Sequence, residues 1–176
     1  MLEVGDPAPA FRLLDDQGRW RSSEELAGRP YVLFFYPRDN TPGCTTEACG
    51  FRDLHARFQA AGIAVFGVSA DSPDSHARFV ARHALGIPLL SDPEHELLTA
   101  YGVWAEKKLY GRSFMGIVRS TFAVGEDGRI RHVWAKVKPA GHADEVLATL
   151  IGAAAPAPAN RSRPARKARR GDGGSA

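Results

Sequence analysis

The chain has 176 residues, 44% hydrophobic and 24% charged, values that suit one globular domain with a full core and exclude a low-complexity or fibrous protein. Its 23 Lys and Arg against 20 Asp and Glu leave a net charge of +3, and two cysteines are too few for a secreted disulfide scaffold. No apolar run is long enough to span a bilayer. The opening MLEVGDPAPAF has neither a basic n-region nor an apolar h-region, so the expectation is a cytoplasmic chain without a membrane partner.

In chain order, Asp6-Pro7-Ala8-Pro9 reads as an extended lead-in. Phe11 to Leu13 alternates like a short strand, and Asp15-Asp16-Gln17-Gly18 reads as a hairpin turn into Trp20. Ser22 to Leu26 is a capped helical turn ended by Gly28. Tyr31 to Tyr36 is aromatic and branched without polar alternation, which predicts a strand buried on both faces. Pro37 cannot donate to a ladder and ends it. Asn40, Thr41, Pro42 and Gly43 form a turn, and a helix begins near Cys44, with Thr41 or Thr45 as capping hydroxyls. Phe51, Leu54 and Phe58 recur at helical spacing until Gly62.

Ile63 to Ser69 is the next strand. Asp71-Ser72-Pro73 starts a helix that buries Phe79 and Val80 and ends near Gly86. Leu89 to Ser91 is a short strand, and Asp92-Pro93-Glu94 opens a helix running through Tyr101. Gly116 to Val124 is one strand, Glu126-Asp127-Gly128 a tight turn, and Ile130 to Trp134 the antiparallel return. His142 to Ile151 closes the domain as a helix. Strand and helix alternate, so the fold class is α/β with parallel pairs in the sheet. Lys107, Lys108, Arg112, Arg129 and Arg131 read as solvated surface, and the six histidines as surface and packing, since they form no ligand cluster.

The chemistry concentrates on Cys44 and Cys49. At a helix start, free backbone N–H groups and the helix dipole favour an anion, and the thiolate is the reactive form of cysteine. On an ideal helix the pair would lie about 140° apart around the axis, with Cα atoms roughly 8.6 Å apart. That exceeds the span of a disulfide, so a bridge requires the first turns to unwind. Three readings apply: two inert buried cysteines, a two-thiolate metal half-site, or a redox pair. No histidine stands nearby at ligand spacing, and the turn, the prolines and the helix start favour the redox pair.

YPRDNTPGCTTEAC resembles the active-site signature of thiol peroxidases of the peroxiredoxin family, and its C-x-x-x-x-C spacing matches the bacterioferritin-comigratory, or PrxQ, branch. The opening P-x-F-x-L-x-D-x-x-G, FGVSADSPDSHARF, PLLSDPEHELLTAYGVW and RSTF are similar to further family segments, so the likeness runs from about Val4 to Ile151. It implies a thioredoxin-like fold with a mixed central sheet flanked by helices. It implies that Cys44 reduces hydrogen peroxide or organic hydroperoxides and becomes a sulfenic acid, which Cys49 resolves as an intramolecular Cys44–Cys49 disulfide. Thioredoxin or a similar dithiol protein would then restore both thiols. It carries peroxide binding to Thr41 and Arg119, and shielding of the thiolate to Pro37 and Pro42. Taken alone, Arg119 would be a surface ion-pair partner and Thr41 a local cap. Glu47 resembles a helix glutamate of the family, although a first-turn carboxylate needs only the dipole to explain it. No cofactor and no metal are implied, and the expected state is a monomer.

The competing enzyme class on the same fold is the thiol–disulfide oxidoreductase, which favours a C-x-x-C pair and lacks the Thr and Arg set. The expected boundary divides a peroxiredoxin domain, residues 1–153, from a basic Pro/Ala/Arg-rich tail, residues 154–176. From Pro156 the chain carries six basic residues and one acid, while the rest holds 17 basic and 19 acidic, so the basic character belongs to the tail. That composition cannot build a core and is expected to be disordered. Its plain reading is a solubilising extension; the alternative is a weak, salt-sensitive nucleic-acid contact.

Overall fold

In a computed structural model of the chain, residues 1–151 are described. Strands β1 (Arg12–Asp15) and β2 (Trp20–Ser22) form the first hairpin, followed by a 3-10 turn at Ser23–Leu26. Strand β3 (Tyr31–Phe35) leads through the proline-bearing turn into helix α1 (Pro42–Ala60), then strand β4 (Ala64–Ser69). Helix α2 (Pro73–His83), strand β5 (Leu89–Ser91) and the short helix α3 (Glu96–Ala100) follow. Strands β6 (Trp104–Leu109) and β7 (Arg112–Ile117) pair with each other; β8 (Ser120–Val124), β9 (Ile130–Trp134) and helix α4 (His142–Ile151) complete the described chain. The expected tail, residues 154–176, lies outside the described residues, as do 152 and 153.

The main sheet has seven strands in the order β2-β1-β5-β4-β3-β8-β9. Strands β3, β4 and β5 are parallel, joined by the crossovers α1 and α2, and the flanking strands are antiparallel. This is the mixed sheet flanked by helices that the alternation of elements predicts. No helix among the described residues is long and apolar enough to cross a membrane.

Strand β3 is buried throughout, and its two-residue period divides its side chains between two cores. Val32, Phe34 and Tyr36 face a cluster built with Phe51 and Phe58 of α1, Phe79 of α2, and Val146 and Leu147 of α4. Tyr31, Leu33 and Phe35 face the opposite cluster, with Leu97 and Leu98 of α3 and Tyr101 just beyond it. Phe34 and Phe51 stack with ring centroids 4.5 Å apart and planes 11° from parallel, which fixes α1 on the sheet.

Three boundaries differ most from the sequence reading. The predicted strand Gly116–Val124 is two strands, because the chain leaves the β6–β7 hairpin for the main sheet at Val118 and Arg119. There the Val118 N–H donates to the Val103 carbonyl at 2.8 Å, and the Ser120 hydroxyl donates to the Val118 carbonyl at 2.9 Å. The helix expected from Asp92 begins only at Glu96, since the Asp92 carboxylate accepts the N–H groups of Glu96 and Leu98 and caps it from outside. Helix α2 stops at His83, where Ala84 turns into the left-handed region, rather than near Gly86. The β6–β7 hairpin carries Leu109, Phe114 and Met115 half-exposed and Tyr110 fully exposed at its tip.

Candidate active site

The chain turns sharply between β3 and α1, and what steadies the turn lies behind it. Asn40 takes a left-handed backbone. The Tyr36 hydroxyl donates to Asp39 Oδ1 at 2.6 Å, and Ser75 Oγ donates to Asp39 Oδ2 at 2.8 Å. His76 Nδ1 lies 2.7 Å from the same carboxylate, and its Nε2 lies 2.9 Å from the Leu90 carbonyl. Burial alone would lift the Asp39 carboxyl, but hydrogen bonding and charge from His76, with help from Tyr36 and Ser75, outweigh it and hold the group below its ordinary value. Asp71 Oδ2 accepts from the Asp39 N–H at 2.9 Å and from the Ser69 hydroxyl at 2.7 Å. Asp39, Asp71 and His76 thus bring ligand-type atoms within 4.8 Å of one another, but each carboxylate oxygen involved already accepts hydrogen bonds and the imidazole is enclosed. The set fastens the turn to α2 and β5.

Of the histidines read as surface and packing, two serve packing through buried hydrogen bonds. His76 is fully buried in this network, and His142 is buried with its Nε2 2.7 Å from Thr121 Oγ1. The sequence signal was available in part: Asp39 sits inside the signature itself.

Thr41 is the N-cap residue of α1 and Pro42 occupies its first position. The Thr41 hydroxyl does not cap the helix; it donates to the Arg38 carbonyl at 2.9 Å, which leaves its oxygen as an acceptor. Pro37 and Pro42 are exposed on either side of the turn. Cys44 lies in the first turn of α1 and is 1% exposed.

Arg119 reaches Cys44 from the corner between β7 and β8. Its Nη2 donates to Cys44 Sγ at 3.3 Å, and its Nη1 to Glu47 Oε1 at 3.4 Å. A guanidinium so placed stabilises negative charge on the sulfur. Gly43 makes room for it: a Cβ there would lie 3.1 Å from Arg119 Nη2 and 3.3 Å from Pro139 Cγ. Sequence reading took Gly43 as a turn former only; this second use depends on residues far along the chain.

Glu47 is buried, not a solvated first-turn carboxylate. Burial pushes its carboxyl up to about 7 against the opposing charge of Arg119, and its Oε2 has no protein partner. Lys107, read as solvated, is half-buried and within electrostatic reach of Arg119 and Cys44. Its ammonium is drawn below the usual lysine range first by burial and then by the Arg119 charge, with Cys44 acting the other way.

Cys49 is half-buried on the same helix and packs against the first cluster. Both thiols are free and α1 is continuous from Pro42 to Ala60. The structure therefore brings together Thr41, Cys44, Glu47, Arg119 and Lys107 at one helix start, and leaves Cys49 on the next turns of α1.

The AhpC/TSA family profile matches residues 4–133. The chain is 45% identical over 149 residues to Peroxiredoxin Bcp of Bacillus subtilis, covering 85% of this chain and 95% of that protein. It is 40% identical over 146 residues to Peroxiredoxin Bcp of Escherichia coli, covering 83% and 94%. Among solved structures it resembles the bacterioferritin comigratory protein of Xanthomonas campestris, with TM-score 0.76 and 43% identity over 80% of this chain and 89% of that one. It also resembles a cysteine-to-serine variant of PrxQ from Xylella fastidiosa, with TM-score 0.81 and 37% identity over 85% and 96%.

Proposed function

The chain belongs to the AhpC/TSA family and is a peroxiredoxin of the Bcp/PrxQ group with a thioredoxin-like fold, and from that premise we propose that its thiol peroxidase chemistry runs through Cys44, with Cys49 as resolving thiol. The observation that carries this reading is the Arg119 guanidinium on Cys44 Sγ, 3.3 Å away at a helix start.

In the proposed cycle the Cys44 thiolate attacks the terminal oxygen of a hydroperoxide. An S–O bond forms, the O–O bond breaks, and water or an alcohol leaves with a proton. Arg119 stabilises the charge that moves from sulfur to the leaving oxygen. Thr41 Oγ1, its own proton committed to Arg38, accepts the hydrogen bond of the peroxide O–H. Glu47 holds the Arg119 fork in place. The first turns of α1 then open, Cys49 displaces hydroxide from the Cys44 sulfenic acid, and a disulfide forms. Thioredoxin or a similar dithiol protein reduces it by exchange. Residues 1–153 are proposed to carry this activity as a monomeric, atypical two-cysteine peroxidase.

The burial of Cys44 supports a small oxidant over a protein disulfide, which distinguishes this reading from a thiol–disulfide oxidoreductase. Cys44→Ser is expected to abolish peroxide turnover. Cys49→Ser is expected to keep the first oxidation and lose recycling by thioredoxin. Steady turnover of Cys49→Ser with thioredoxin as sole reductant would remove Cys49 from the scheme. For residues 154–176, six basic residues against one acid from Pro156 on support a weak nucleic-acid contact separable from catalysis. Retention on DNA that is equal at low salt for the full chain and for a chain ending at Ala155 would exclude it.

A further inference from the structure

We propose that Arg52 is a positioning residue for the resolving cysteine: it marks where α1 stops unwinding and keeps a positive charge beside Cys49 as that sulfur attacks. The inference rests on the proposed resolving role of Cys49.

Cys49 and Arg52 are three apart on α1 and share a helix face. Arg52 is anchored outside its own helix. Its Nη1 donates to the His83 carbonyl at 2.7 Å, at the last residue of α2, where helix carbonyls lack an internal partner. Its Nε donates to Asp53 Oδ1 at 2.9 Å, so the guanidinium is held on two sides. Its side chain is only 35% exposed. The Asp53 hydrogen bond raises its proton affinity most, burial opposes, and the Cys49 sulfur adds to the rise.

Gly50 lies between the two residues. Glycine is a poor helix former, and here it admits α4: a Cβ at Gly50 would meet the Ala143 Cβ at 3.3 Å. Immediately beyond it, Phe51 stacks on Phe34 of the sheet and Arg52 is tied to α2. The segment from Pro42 to Ala48 can therefore open while Cys49, next to Gly50, stays with the fastened part of α1.

The step this serves balances within the proposed cycle. The Cys49 thiolate attacks the sulfur of the Cys44 sulfenic acid. An S–S bond forms, the S–O bond breaks, and hydroxide leaves as water after taking up a proton. The two thiols supply the two electrons that reduced the hydroperoxide. Arg52 moves little in this step, so its charge stays beside the Cys49 sulfur while Cys44 is carried toward it.

The test uses the full chain, reduced and then mixed with hydrogen peroxide, with timed alkylation and mass mapping to follow sulfenic acid and disulfide separately. In Arg52→Met, Cys44 should oxidise at the wild-type rate, while the disulfide forms about tenfold more slowly. Sulfinic acid on Cys44 should rise at equal peroxide, and hydrogen exchange in the oxidised protein should spread past Gly50. Arg52→Lys, which keeps the charge, should recover most of the rate. If Arg52→Met does not fold, Arg52→Gln takes its place with the same expected slowing. A disulfide formed at the wild-type rate without the cation, or an Arg52→Lys as slow as the uncharged variant, overturns the proposal. Absence of any Cys44–Cys49 bond in the wild type overturns the resolving role of Cys49 and this inference together.

Discussion

The guanidinium of Arg119 bridges a thiol and a carboxyl, and three single substitutions probe that bridge. Gly43→Ala puts a methyl 3.1 Å from Arg119 Nη2 and 3.3 Å from Pro139, so the arginine must shift. The peroxide reactivity of Cys44 should fall about tenfold or more while the melting temperature changes little, measured by rapid mixing and thermal unfolding. Arg119→Lys loses the planar fork that serves Sγ and Oε1 together, and the same rate should drop about a hundredfold. Glu47→Gln tests the buried carboxyl. Its folded-state value is raised from 4.5 to about 7, so the folded protein holds that proton more tightly than the unfolded chain does. The stability this gives is present in full below pH 4.5 and is lost as pH rises toward 7. The wild type should lose up to about 3 kcal/mol relative to Glu47→Gln across that window, read from urea unfolding at each pH. A flat difference would mean that Glu47 is not held as described. The signature made Cys44 and Thr41 candidates in the sequence, and the RSTF segment did the same for Arg119. The burial of Glu47 and the second use of Gly43 were not legible there, because both depend on Arg119, 72 residues from Glu47 in the chain.

Helix α1 performs two structural tasks along its length. Its first turns present Cys44 and Cys49; its later turns pin it to the sheet through Phe51 and Phe58. Phe51→Ala removes the stack on Phe34 and should cost about 3–5 kcal/mol of stability by chemical unfolding. A loss under about 1 kcal/mol would show that the stack is not what holds this part of the helix. The strands β3, β4, β8 and β9, and helices α1, α2 and α4, were legible from runs of branched and aromatic residues and from caps such as Ser72, whose side chain accepts the Ser75 N–H at 3.1 Å. The corner at Val118 and Arg119 was not. Residues 116–124 are locally suited to a single strand, and only the choice between two sheets breaks them. The β6–β7 hairpin was missed for the converse reason: its charged residues Glu106, Lys107, Lys108 and Arg112 interrupt any alternation that would announce a strand. That hairpin supplies Lys107 to the site.

At the scale of the molecule, the main sheet separates two apolar clusters. Cys44, Ala48 and Phe51 all belong to one of them, with Val32, Phe34 and Tyr36 of the sheet; α3 and Tyr101 belong to the other. In the proposed cycle, opening the start of α1 disturbs only the first. The second cluster and the parallel strands stand throughout, so each round of oxidation and reduction begins and ends on an assembled scaffold. A protein built this way wears out chemically before it wears out mechanically. Under sustained oxidant its working life should be counted in turnovers until the sulfur is over-oxidised, with little of the chain lost to aggregation along the way.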